Sequence, residues 1–166
     1  MKISNGMKNF FKWALVIAFM VFLLFSLQHN RQSVRNLDTN NIQYVKIAGQ
    51  MLKVELALTK EEQERGLSLR KDLKEDEGML FVFNTPDKYS FWMKDMNFSI
   101  DIIWLAQPEA GRGEDSHVVY IKKNAKPGSF PEIFKPNKNS KYILEVISDF
   151  SEKNNLKEGD SVEFLP

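Results

Sequence analysis

The sequence predicts a mostly β protein with minor α content: a compact antiparallel barrel or sandwich of seven or eight short strands, preceded by one transmembrane helix. Three observations carry that expectation. After residue 41, short runs rich in aromatic and β-branched residues recur, each bounded by Pro, Gly, Asn or Asp. Helical signals are confined to two short stretches of that region. Before residue 30 lies an apolar run, Phe10 to Leu27, with Lys12 as its single charge.

The apolar run reads FFKWALVIAFMVFLLFSL. At about 1.5 Å per residue it extends roughly 27 Å, close to a hydrocarbon core of about 30 Å. Lys12 can reach the headgroups and Trp13 suits the interface. Lys2, Lys8 and Lys12 hold the N-terminus in the cytoplasm and send the rest of the chain across. A cleaved signal peptide shares the basic start and the apolar run, and would make the protein periplasmic or secreted. Phe25-Ser26-Leu27-Gln28-His29 offers no pair of small residues for a peptidase, so residues 1–30 read as an uncleaved anchor. Residues 31–41, RQSVRNLDTNN, are polar and aperiodic and read as a linker; residues 42–166 read as one domain.

Within that domain, Ile42–Ala48 and Met51–Leu58 are β-rich runs separated by Gly49-Gln50, a hairpin signature. Thr59-Lys60-Glu61-Glu62 has capping-box spacing and predicts a short helix over Glu61–Arg65, with Gly66 as its C-cap. Strands follow at Met79–Phe83, Tyr89–Met93, Ile100–Ala106, Val118–Lys122 and Tyr142–Ile147. Met79–Phe83 is apolar on both faces, so it is covered on both sides or lies in a barrel wall under a loop. Asp149–Asn155 suits a helical turn, and Ser161–Leu165 closes the chain as a strand after Gly159-Asp160. Two loops stand out. Gln107–Ser116 is polar and Gly-rich. Asn124–Ser140 holds Pro127, Pro131 and Pro136 and is long enough to be an ordered functional loop.

Charge and composition exclude several functions. The whole chain carries +1, and the first thirty residues hold three lysines and no acid. The remainder therefore has 20 basic against 22 acidic residues, about −2, which argues against nucleic acid as a partner. There is no cysteine, hence no disulfide, thiolate zinc site, cysteine nucleophile or lipid-bearing cysteine. No Gly-rich phosphate loop, His-rich metal motif or serine elbow is present, so no cofactor and no metal is expected.

Two constellations are candidates for chemistry. Asp101 sits between Ile100 and Ile102, and Glu145 between Leu144 and Val146. A carboxylate within an apolar strand is costly unless it is paired or faces a wet pocket. Arg70, whose fork grips carboxylates with two bonds, is the expected partner of both. Such a network either fixes strand register or lines a polar binding pocket. The second constellation is Trp92, Met93 and Met96 with Met79, which suits core packing first and stacking on a flat ligand second. Asp160, in its turn, is expected to accept from nearby backbone amides.

The blocks Gln63–Arg70 (QERGLSLR), Asp76–Phe83 (DEGMLFVF), Phe91–Asp95 (FWMKD), Asp101–Leu105 (DIIWL), Ile143–Val146 (ILEV) and Gly159–Val162 (GDSV), with the Asn124–Pro127 turn, resemble the prokaryotic family called domain of unknown function 192. The resemblance covers roughly residues 45–165. It implies a small, often exported β-rich domain and no established reaction. The chain departs from the family pattern at Ser68, where Met is usual, and at Asp95, Met96 and Ser99, where Asn, Thr and Pro are usual.

The expected function is that of a membrane-anchored extracytoplasmic β-domain, a non-catalytic ligand-binding or interaction module. Its pocket is expected near Arg70, Asp101 and Glu145, with Trp92 and Met93 as further ligand contacts. Its partners would be the membrane, through residues 10–27, and a small molecule, an envelope polymer or a protein. The alternatives are an envelope enzyme using Asp101 and Glu145 as a carboxylate pair, for example on glycans, and a purely structural envelope module.

Overall fold

Local chemistry sets the first elements. Strands β1 (Tyr44–Ile47) and β2 (Gln50–Ala57) pair antiparallel, with Ile47 opposite Gln50. The two residues between them, Ala48 and Gly49, both take positive φ, 49° and 76°, the backbone of a tight hairpin turn that follows the strand twist. The turn thus falls one residue earlier than the sequence suggested. Helix α1 (Lys60–Arg65) begins at a complete capping box. Thr59 Oγ1 accepts from the Glu62 amide, and Glu62 Oε2 accepts from the Thr59 amide. Gly66, at φ 51°, ends the helix. The remaining elements are β3 (Glu77–Asp87), β4 (Ile100–Ala106), β5 (Ser116–Ala125), β6 (Ser140–Ile147), the four-residue helix α2 (Phe150–Lys153) and β7 (Ser161–Leu165).

The structure is a computed structural model that describes residues 39–107 and 115–166, with Met20 alone before them. The chain divides into Met1–Leu37 and Asp38–Pro166, and the barrel belongs to the second unit. The expected anchor at 10–27, most of the linker and most of the Gln107–Ser116 loop lie outside the described residues. Among the described residues, no helix is long and apolar enough to cross a membrane.

The seven strands close in the order β1-β2-β3-β6-β4-β5-β7, with β7 returning to β1. All pairings are antiparallel except β2 with β3, which run parallel because α1 carries the chain back between them. The antiparallel expectation fails at that junction. The side chain that fixes it is Gln63, whose Nε2 donates to Val82 O at 2.9 Å and to Ala57 O at 3.3 Å, tying α1 to both parallel strands.

Two apolar clusters share the wall β3-β6-β4-β5. The inner cluster fills the barrel with side chains from every strand, among them Val45, Val54, Leu80, Ile103, Val118, Leu144 and Val162. The outer cluster holds Phe81, Ile102, Trp104 and Ile143 on the opposite face of the same strands, covered by Leu67, Leu73, Phe91, Met93 and Phe134 from the connections. This double coverage is why Met79–Phe83 is apolar throughout.

Tyr89–Met93, expected as a strand, is instead part of the cover. It forms a single bridge, Phe91 with Phe134. Its alternating apolar pattern serves packing against the outer face rather than a ladder. The connection after α1 is stitched to this cover: Ser68 Oγ donates to Lys94 O at 2.9 Å, and the Leu69 amide donates to Asp95 O at 2.8 Å.

Candidate functional site

β4 and β6 decide where the two strand carboxylates go. In their register Asp101 stands opposite Val146, and Ile102 stands opposite Glu145. Side chains alternate along each strand and cross-strand partners share a face. Asp101 therefore points to the inner face with Ile103 and Leu105, and Glu145 to the outer face with Ile102. The expected carboxylate pair is corrected on this point. The two groups lie on opposite sides of one sheet and cannot flank a substrate.

Asp101 is fully buried and has a structural role. Its Oδ1 accepts from the Asn124 amide and its Oδ2 from the Ser151 amide, both at 2.8 Å. Ser151 belongs to the first turn of α2, whose N-cap residue Asp149 makes no side-chain cap of its own. A carboxylate from β4 thus caps α2 from a distance and fastens it to β5.

Arg70 also takes another partner. It grips Glu55 with two bonds of 2.6 Å, Nη1 to Oε1 and Nη2 to Oε2, and this ion pair lies largely in solvent. Arg70 holds the Glu55 carboxyl below the usual carboxylate range. The expected Arg70–Asp101–Glu145 network does not form. The guanidinium contributes only a through-space attraction at Glu145. Nothing in the sequence distinguished Glu55 from the other exposed acids. It is the strand alternation of β2 that turns it outward.

Glu145 is the unusual group. It is 4% exposed, and its Oε2 is buried with no hydrogen-bond partner among the described residues. Burial pushes its pKa up to about 8, with Arg70 pulling weakly the other way. At neutral pH it is mostly a neutral acid. A Cβ added at Gly66 would lie 3.7 Å from this oxygen and 3.3 Å from the Phe81 ring, so the helix C-cap packs directly over it.

Glu145 also lines the floor of an open cleft of about 230 Å³. One wall is α1 and its C-terminal turn, with Gln63, Arg65 and Ser68. The other is aromatic, with Tyr89, Trp92 and Phe83. Phe83 and Tyr89 stack with centroids 3.5 Å apart. The Tyr89 carbonyl accepts from Trp104 Nε1 at 2.9 Å, which pins the wall to the outer cluster.

Of the residues singled out from sequence, Trp92, Met96 and Glu145 meet at this cleft. Trp92 is 43% exposed at its edge. Met93 is fully buried in the outer cluster, Asp101 lies on the inner face, and Arg70 stands outside the cleft. Sequence reasoning missed Gln63, Gly66, Phe83 and Tyr89. The local pattern places Gln63 in α1 and Gly66 at its C-cap, and only the placement of that helix over β3 and β6 makes them walls. Asp160 accepts from the Lys157 amide at 2.8 Å, as its turn predicts.

A closed seven-stranded barrel with one outer face roofed by its own connections, and a small acid-floored cleft under that roof, defines the class of domain. A family profile matches residues 43–164, and the chain belongs to that family, DUF192, described as uncharacterized ACR. Among solved structures, a protein of unknown function from Novosphingobium aromaticivorans DSM 12444 is 30% identical. The match covers 79% of this chain and 91% of that one, with a TM-score of 0.66. A protein from Sinorhizobium meliloti 1021, provisionally described as a transcription regulator, is 27% identical. That match covers 73% of this chain and 90% of that one, with a TM-score of 0.64. None of the curated proteins matches the chain.

Proposed function

We propose that the domain is a non-catalytic ligand-binding module, held on the extracytoplasmic side of the cytoplasmic membrane by residues 10–27 with the N-terminus inside. The observation that carries the binding reading is Glu145. Buried polar atoms are almost always hydrogen-bonded, and a buried carboxyl that lines the cleft with one of its oxygens unpartnered among the described residues suits an incoming donor. A concave site with a few convergent polar groups among aromatic rings is the usual form of a small-molecule site. At about 230 Å³ the cleft suits a ligand smaller than a typical drug.

Catalysis is disfavoured because Asp101 and Glu145 face opposite ways. The transcription-regulator description of one neighbour is not carried over, because the charge of about −2 over residues 31–166 gives no electrostatic attraction to phosphates.

The test is a screen of small metabolites against the full-length protein in detergent, read by melting temperature and tryptophan emission. A binder is expected to raise the melting temperature and to change emission from Trp92, with Trp92→Phe removing the optical signal. Ser90→Trp, which fills the cleft from its exposed edge, is expected to abolish the shift. A screen without binders, or binding that survives Ser90→Trp, refutes the reading. The anchor is tested by mass spectrometry of the mature N-terminus, where a start near residue 29 refutes it.

A further inference from the structure

The groups around Glu145 narrow the chemistry of the ligand. The carboxyl oxygen without a partner can accept a hydrogen bond and, once ionised, carries a full negative charge. The stacked Phe83–Tyr89 pair and the exposed Trp92 add aromatic faces, which attract cations through the ring quadrupole. The nearby cations are mostly neutralised. Lys60 pairs with Glu64 at 3.6 Å, and Arg70 with Glu55 at 2.6 Å. Arg65 makes no salt bridge among the described residues and stands exposed on the rim. Besides Glu145, the titratable groups lining the cleft are Lys60, Glu64, Arg65 and Tyr89.

We propose that the cleft binds a small organic ammonium ion, with an N–H donating to the Glu145 carboxyl where it lines the cleft and the cation seated against Tyr89 and Trp92. This inference rests on the cleft being a ligand site. A neutral hydroxyl compound would satisfy the oxygen but gain nothing from the rings' field. A carboxylate would meet the same rings, and the ionised acid, with the wrong sign.

The proton count follows from the state of the empty cleft. Glu145 is protonated there because burial raises its pKa to about 8. Binding of an ammonium ion breaks the carboxyl O–H bond, releases that proton to solvent and leaves a carboxylate–ammonium pair. The ligand keeps all its own N–H bonds. Affinity therefore rises about tenfold per pH unit until about pH 8 and then flattens, because below that pH each binding event must displace a proton.

The experiment titrates the full-length protein in detergent with n-propylammonium, n-propanol and propionate between pH 6 and 9. Binding is followed by Trp92 emission and by calorimetry in two buffers of different protonation enthalpy. The expected result is n-propylammonium binding about fiftyfold tighter at pH 8 than at pH 6, with close to one proton released at pH 6. Glu145→Gln is expected to weaken it at least tenfold at pH 8. Should that variant fold poorly, the pH dependence and proton release of the unmutated protein decide alone. Equal binding of n-propanol with no pH dependence overturns the ammonium inference and leaves the cleft reading standing. Absence of binding by all three probes also overturns it, and the cleft reading then rests on the metabolite screen alone.

Discussion

Glu145→Gln tests the energetics of the site without any ligand. Burial raises the acid's pKa from 4.5 in its ordinary state to about 8 in the folded protein. Below pH 4.5 both folded and unfolded chains carry the proton, and Glu145 adds no pH dependence. Between pH 4.5 and 8 the unfolded chain gives up the proton and the folded one keeps it. The folded state then binds more protons, so stability falls as pH rises, by about 1.4 kcal/mol per unit. Above pH 8 both states are ionised and the loss levels off at about 5 kcal/mol, an upper value because water can enter from the cleft. Glutamine has the same shape and no titration. The difference in unfolding free energy between Glu145→Gln and the unmutated protein should therefore grow from pH 5 to pH 8 and then stay constant. Urea unfolding at pH 5, 6, 7, 8 and 9 at fixed salt measures it, and only the slope counts, since the amide adds a pH-independent offset. Parallel curves for the two proteins across pH 5 to 8 would refute the account of a buried, uncompensated acid.

Three further experiments probe the frame around it. Asp101→Asn leaves one of two buried backbone amides facing an NH2 group, and should cost about 2–4 kcal/mol with faster hydrogen exchange at Ser151 and Asn124; a loss below 1 kcal/mol would remove its role as the remote cap of α2. Gly78→Ala places a Cβ 2.9 Å from the Glu145 carbonyl oxygen, a backbone atom in the middle of a ladder, so a loss of about 2–3 kcal/mol is expected in thermal or urea unfolding, and an unchanged midpoint would contradict the β3–β6 register. A double-mutant cycle over Arg70→Ala and Glu55→Ala should give a coupling no larger than about 1 kcal/mol, because the pair is largely exposed; a coupling of several kcal/mol would contradict a largely solvent-screened pair.

Much of the barrel is legible along the chain. The capping box at Thr59–Glu62, the strand Ile100–Ala106 and the closing strand Ser161–Leu165 are dictated by contacts within a few residues, and each forms where the local pattern puts it, while the first hairpin turn forms one residue early, at Ala48-Gly49. Tyr89–Met93 shows the limit. Its period of two is a statement about which side chains turn inward, and a loop strapped over an apolar sheet needs the same alternation as a strand does.

The site divides along the same line. Sequence alone marks Asp101 and Glu145 as carboxylates in apolar strands, Trp92 as an aromatic among methionines, and Met79–Phe83 as covered on both faces. It also carries the family resemblance that the profile match confirms. It does not say which acid is satisfied. That depends on a register between β4 and β6, strands some forty residues apart in the chain, and a slip of one residue would exchange the faces of every side chain. It depends as well on α2 presenting the Ser151 amide to Asp101 while no donor reaches Glu145. Alternation and turn chemistry are short-range and can be read from neighbours. Closure, register and the pairing of Arg70 with Glu55 set partners across the barrel, and only the folded chain decides them.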